Sequence, residues 1–241
     1  MKKQHFLIID TETTQDNLVA DFGAIIVDRR GRIQTQCAVL VNDVFNNSAH
    51  PLFFDSSLPA DSLWSQKSAD KRHAKYQKMV EAGSRMIASV NAINRWLERA
   101  RGEYDPVLTA YNLSFDAGKM DNTGIDHTIF SQRFCLWHAA CEKFASTKAY
   151  KNFILSIHGF NAPTKLGNMT YKTNAEIMAR FVLETPDLGD EPHTALEDVI
   201  GYELPILMKL IGHEKLTDIL KLARGFNWRD YQVKNHFTGV A

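Results

Sequence analysis

Apolar residues crowd the first forty positions in short runs and are spaced like the buried stripe of a helix over most of the rest. Phe6-Leu7-Ile8-Ile9 opens a predicted strand over 6–11, and two more follow at 19–28 and 32–41. Arg29-Arg30-Gly31 supplies a tight turn between the second and third, which predicts an antiparallel meander. Residues 42–65 break the pattern with Asn46, Asn47, Pro51 and Pro59 and carry the aromatics Phe53 and Phe54, so an excursion from the sheet is expected there. From 65 to 99, Met79, Met86, Ile87, Val90, Ile93 and Leu97 recur at intervals of three, four and seven, which predicts a helix. Short buried strands are predicted at 106–111 and 129–136, with a helical turn around 116–120 between them. Helices are expected near 137–158, 173–183, 194–211 and 214–224. A meander followed by strand and helix in alternation predicts an α/β layer architecture with a mixed sheet.

Composition narrows the class. The chain has 241 residues, 44% hydrophobic and 23% charged, which is ordinary for a globular protein, with one domain as the default. The apolar run after Lys2 and Lys3 stops at Asp10, too short for a secretory segment, and no stretch reaches the length of a membrane helix. A soluble cytoplasmic protein without a membrane partner is therefore expected. The three cysteines, Cys37, Cys135 and Cys141, are too scattered for a disulfide framework. Lys and Arg equal Asp and Glu at 28 each, so no global basic field marks a polyanion binder. Locally the balance shifts: residues 66–101 hold nine Lys or Arg against three acids, and 184–203 hold seven acids.

The candidate chemistry lies in three places. Asp10 and Glu12 follow the most apolar strand at positions i and i+2, which puts both carboxylates on one side of the strand end. Like charges so close stay ionised only with a cation between them, and hard oxygen ligands favour Mg²⁺ or Mn²⁺. Asp116 lies in the first turn of a helix entered through Ala110-Tyr111-Asn112-Leu113-Ser114-Phe115. The helix dipole alone would account for an acid there. His193 precedes a strongly apolar helix from whose second turn Asp198 projects, and an imidazole titrates where a general base should.

In this order, Asp-x-Glu, Asn-x-x-Phe-Asp and His-x-x-x-x-Asp resemble the DEDDh group of 3′-to-5′ exonucleases, the family of polymerase proofreading subunits and several RNA-trimming enzymes. The match spans positions 10 to 198. The resemblance implies a ribonuclease H-like fold with a five-stranded mixed sheet flanked by helices. It implies that Asp10, Glu12, Asp116 and Asp198 ligate two divalent ions, Mg²⁺ or Mn²⁺, and that His193 is the base. The implied reaction is hydrolysis from the 3′ end of single-stranded DNA or RNA, releasing nucleoside 5′-monophosphates, with Thr11, Thr13, Asn112 and Phe115 at the terminal nucleotide. A homodimer or a polymerase or repair partner is left open. On this reading residues 1–212 form the exonuclease domain, with an insertion at about 42–80, and 213–241 form a C-terminal helix and tail packed on it.

The chain departs from the family at Gln15, where a glycine is common, at Tyr111, where many members carry His, and in the insertion. The rival readings are a catalytically silent nucleic-acid-binding module and a phosphodiesterase of small oligonucleotides or nucleotides. Phe53, Phe54 and Trp64, or Phe226, Trp228 and Tyr231, are candidates for stacking on bases, with packing of the tail as the plainer account. Cys135-x-x-His138-x-x-Cys141 spreads over most of a helical turn without a fourth ligand, and core cysteines are the expectation.

Overall fold

The strand that opens with Phe6 has apolar side chains on both of its faces, and it becomes the centre of the molecule. In the computed structural model, which describes residues 4–162, 169–212, 214–227 and 232–233, it is β1 (His5–Thr13). It pairs antiparallel with β2 (Val19–Asp28), which pairs antiparallel with β3 (Ile33–Val41). On the other side it pairs parallel with β5 (Val107–Ala110), and β5 with β6 (Arg133–Cys135). A short strand, β4 (Met86–Ala88), runs parallel to β3 at the far edge, giving the order β4-β3-β2-β1-β5-β6. The fold is thus mixed α/β with a six-stranded mixed sheet flanked by helices, one strand more than the resemblance implied.

The helices are α1 (Asn42–Phe45), α2 (Gln66–Glu81), α3 (Val90–Tyr104), α4 (Leu113–Thr123), α5 (Leu136–Ala140), α6 (Lys148–Ser156) and α7 (Ala175–Leu183). They are followed by α8 (Ala195–Asp198), α9 (Leu204–Ile211) and α10 (Leu216–Gly225). Wider π turns continue α5 over Cys141–Ala145 and join α8 to α9 over Val199–Glu203. A separate ribbon pairs β7 (Met169–Thr170) with β8 (Gln232–Val233). Among the described residues, no helix is long and apolar enough to cross a membrane.

The helix predicted across 65–99 is two helices with β4 between them. Ser65 accepts from the Ser68 amide at the start of α2, Gly83 adopts φ +73° just beyond its end, and Ser89 caps α3 through the Ala92 amide. A left-handed glycine is an ordinary helix stop, and apolar spacing alone does not register it. The predicted strand at 129–136 shortens to three residues for a similar local reason, since Phe130 closes a turn on the His127 carbonyl.

Alternation along β1 divides the core. Phe6 and Ile8 pack with Leu136, Met178, Leu196 and Ile206 of the C-terminal helices, whereas Leu7 and Ile9 pack with Tyr76, Ile93, Leu97 and Met120. Each such buried side chain contributes about 1.5–3 kcal/mol. Continuing that alternation, Asp10 and Glu12 leave the sheet on the side of the C-terminal helices. Ile219 joins that same cluster from α10.

One glycine sets how closely a helix can approach the sheet beside the C-terminal end of β1. A Cβ on Gly23, the cross-strand partner of Asp10, would lie 2.3 Å from the Ala195 carbonyl carbon and the Leu196 nitrogen. The backbone of α8 therefore rests directly on β2. Gly23→Ala is expected to force α8 off the sheet and to destabilise the protein by about 1–3 kcal/mol, as overpacking does. Urea denaturation measures this, and an unchanged midpoint would contradict the contact.

Candidate active site

The C-terminal end of β1 and the head of α8 bring the site together. In the pairing with β2, Asp10 lies opposite Gly23 and Glu12 opposite Asp21, and the ladder shifts register between Glu12 and Thr13. Because Gly23 admits the backbone of α8, the residues just before and within that helix reach the same strand end. His193 Nδ1 is 3.9 Å from Glu12 Oε1. Ligand atoms of Glu12, His193 and Asp198 all lie within 4.8 Å of one another. Together with Asp10, these three line a cavity of about 560 Å³, the size of a site for a nucleotide-sized ligand.

The head of α8 is held by carboxylates. Asp21 Oδ2 accepts from the Ala195 amide at 2.9 Å, and Asp198 Oδ2 from the Thr194 amide at 2.9 Å. Asp21 is itself fully buried and paired with Arg85 at 3.1 Å, whose other side meets Glu197 at 2.5 Å. His193 adopts φ +51°, a left-handed conformation uncommon outside glycine, and its carbonyl accepts from the Tyr76 hydroxyl at 3.3 Å.

Asp116 lies on the other face of the sheet, close enough for the charge of Asp10 to act on it. It is 2% exposed, does not line the cavity, and accepts from the Thr11 hydroxyl at 2.8 Å. Thr11 is thus committed to holding Asp116, and Thr13 is buried beside it in the strand. Asn112 lines the cavity in a left-handed conformation, φ +78°, at the entry to α4. Phe115 is not brought in: it is 47% exposed on α4, with the Lys119 ammonium 4.6 Å from its ring.

Electrostatics single out this cluster. Burial, followed by the charge of Asp21, raises Asp10 to about 7. Burial also raises Asp198, to about 9, with Asp10 and Glu191 adding to it. Glu12 and Asp116 move well upward for the same reason, each with Asp10 as the next cause. Asp198 Oδ1 and Glu203 Oε2 are buried without a hydrogen-bond partner. Crowded carboxylates with unused oxygens take up protons or a cation, and this donor set fits a hard divalent ion. His193 moves the other way, to about 4, through burial and then the neighbouring charges of Arg72 and Lys75, so its imidazole is neutral.

Sequence reading missed several residues of this cavity. Glu203 is 3% exposed and accepts weakly from the Tyr111 amide, at 3.4 Å. Its position four residues after Val199 and four before Leu207, both buried, was a legible signal: an acid on an apolar stripe. Glu191 also lines the cavity, raised to about 7 by burial and then Asp10. Lys172 is the one Lys or Arg among the described lining residues; its carbonyl accepts from the Tyr150 hydroxyl at 2.7 Å and its amide donates to the Gly159 carbonyl. Nothing local marks it.

The basic stretch 66–101 is only partly available to a ligand. Arg85 is buried in its ion pairs, and Arg72 donates to the carbonyls of Leu63 and Phe53, both at 2.7 Å. Lys71, Lys75 and Lys78 remain exposed on α2. The residues of the Cys135-x-x-His138-x-x-Cys141 motif are engaged in packing, with Cys141 in the core and His138 stacked on Phe226 at 4.2 Å. Trp228 and Tyr231 lie outside the described residues.

No protein-family model matches the sequence, and neither does any curated protein. Among solved structures, that of E. coli Exonuclease I in complex with a 5cy-dT13 oligonucleotide is similar over 91% of this chain, at 14% identity and a TM-score of 0.49. The similarity covers 42% of that chain, so this protein spans less than half of its length.

Proposed function

We propose that this protein is a divalent-metal-dependent 3′-to-5′ exonuclease that degrades single-stranded nucleic acid to nucleoside 5′-monophosphates. The observation that carries this reading is the convergence of Glu12, His193 and Asp198 in a cavity that Asp10 also lines. The order of the three motifs along the chain supports it, as does Asp116, held by Thr11 beneath the same strand end.

Asp10, Glu12, Asp116 and Asp198 are the residues that would hold two ions, Mg²⁺ or Mn²⁺. When bound, such ions activate a water and neutralise the charge that develops on the scissile phosphate. His193, neutral and at the rim of the carboxylates, accepts the proton of the attacking water. The cavity receives the terminal nucleotide, with Asn112 and the cationic Lys172 among its lining residues. The exposed lysines of α2, close to the His193 loop through the Lys75 contact to Pro192, offset carboxylate repulsion along the approaching strand.

A single strand labelled on its 3′-terminal nucleotide tests this. With Mn²⁺ it should yield labelled mononucleotide as the first product, and excess EDTA should stop the reaction. Internal fragments in place of mononucleotide would refute an exonuclease. His193→Ala should lower kcat by about 10²–10⁴-fold, as loss of a general base does. An unchanged rate would remove His193 from the mechanism.

A further inference from the structure

We infer that Trp64, from the insertion at 42–80, is a positioning residue that holds the His193 imidazole in place, which makes the insertion a working part of the active site. This rests on the role proposed for His193 above.

The His193 ring needs an outside support. Catalytic imidazoles are ordinarily oriented by a hydrogen bond from the second ring nitrogen. Among the described residues no side chain hydrogen-bonds to the His193 ring, and the nearby Glu12 carboxylate is 3.9 Å away. What the ring does meet is Trp64, with centroids 4.9 Å apart and planes at 60°, an edge-on aromatic contact. Such a geometry favours one ring orientation over its alternatives by about two- to twelvefold.

Trp64 is fixed in turn. The Arg72 guanidinium lies 5.0 Å from its ring and is locked by its bonds to the Leu63 and Phe53 carbonyls. The Phe53 ring packs edge-on against Trp64 at 5.8 Å, and the Trp64 carbonyl accepts from the Asp55 amide at 2.7 Å. Further along α2, Lys75 donates to the Pro192 carbonyl and Tyr76 to that of His193, both at 3.3 Å. The insertion therefore grips the histidine by its ring and by its backbone. The backbone contacts hold the left-handed turn, and the Trp64 ring is what packs against the imidazole itself.

The test is a double-mutant cycle on a 3′-labelled single strand with Mn²⁺. Trp64→Leu keeps an apolar side chain under Arg72 but lacks the ring. It should lower kcat about three- to tenfold with little change in KM, and Trp64→Phe should restore most of the loss. In a His193→Ala background, Trp64→Leu should have no further effect, because a residue acting through His193 has nothing left to position. An equal loss in both backgrounds, or a raised KM with kcat unchanged, would overturn the inference and make Trp64 a scaffold or a base-stacking platform. A wild-type protein that leaves the strand intact, or His193→Ala as active as wild type, would overturn the functional reading and this inference with it.

Discussion

Asp10→Asn is expected to lower the rate of 3′-end hydrolysis by at least about 10³-fold without unfolding the protein. Ion-borne stabilisation of a transition state amounts to several kcal/mol, and each 1.36 kcal/mol is a factor of ten in rate. The substitution keeps the shape of the side chain and removes a charge that the ion-free protein holds at a cost. Burial, and then Asp21, raise the Asp10 pKa to about 7, so above that pH its ionised form opposes folding. In EDTA near pH 8 the variant should therefore melt at or above the wild-type temperature. Added Mn²⁺ should raise the wild-type melting temperature and leave the variant nearly unmoved, since only ligands that bind the folded state stabilise it. A variant that hydrolyses the strand at the wild-type rate, or that gains as much from Mn²⁺, would remove Asp10 from the metal site.

Arg85→Met should be the most destabilising single change outside the cavity, at about 3–5 kcal/mol, because it leaves the fully buried Asp21 carboxylate without its cation. Its effect should depend on pH in a definite direction. Burial already raises the Asp21 pKa in the native state, against the pull of Arg85, and losing the guanidinium raises it further. A folded-state pKa above the unfolded value gives stability that is present at low pH and lost as pH rises. The gap between variant and wild type should accordingly be smaller near pH 5 than near pH 8. Urea melts at the two pH values measure it; a gap independent of pH would show that Asp21 does not carry the effect.

The parts of this protein that were legible in the sequence are those written in local pattern. The apolar run that stops at Asp10 fixes both the central strand and the direction in which two carboxylates leave it, and β2 forms over the predicted residues, 19–28. Asp198 and His193 were readable because the first lies in an apolar helical stretch and the second just before it. Arg85 was not, since a lone arginine in a basic stretch looks like a solvated face, and its partners Asp21 and Glu197 are 64 and 112 residues away. Gln15 and the segment 42–80 looked unrelated in the sequence and are joined in the structure. Gln15 exchanges hydrogen bonds with the backbone of Phe54, and the Phe53 amide donates to the Thr13 carbonyl at 2.9 Å. The loop after β1 thus stitches the 42–80 segment beside the C-terminal end of the strand, a pairing with no periodicity to announce it.

A contact made of main chain alone has no rotamers. At Gly23 the backbone of α8 lies on the strand that neighbours β1, so the approach of that helix to the sheet is limited by peptide geometry, while the carboxylates of Asp21 and Asp198 fasten its head. Position 23 therefore admits no side chain, and what it excludes is volume of any polarity.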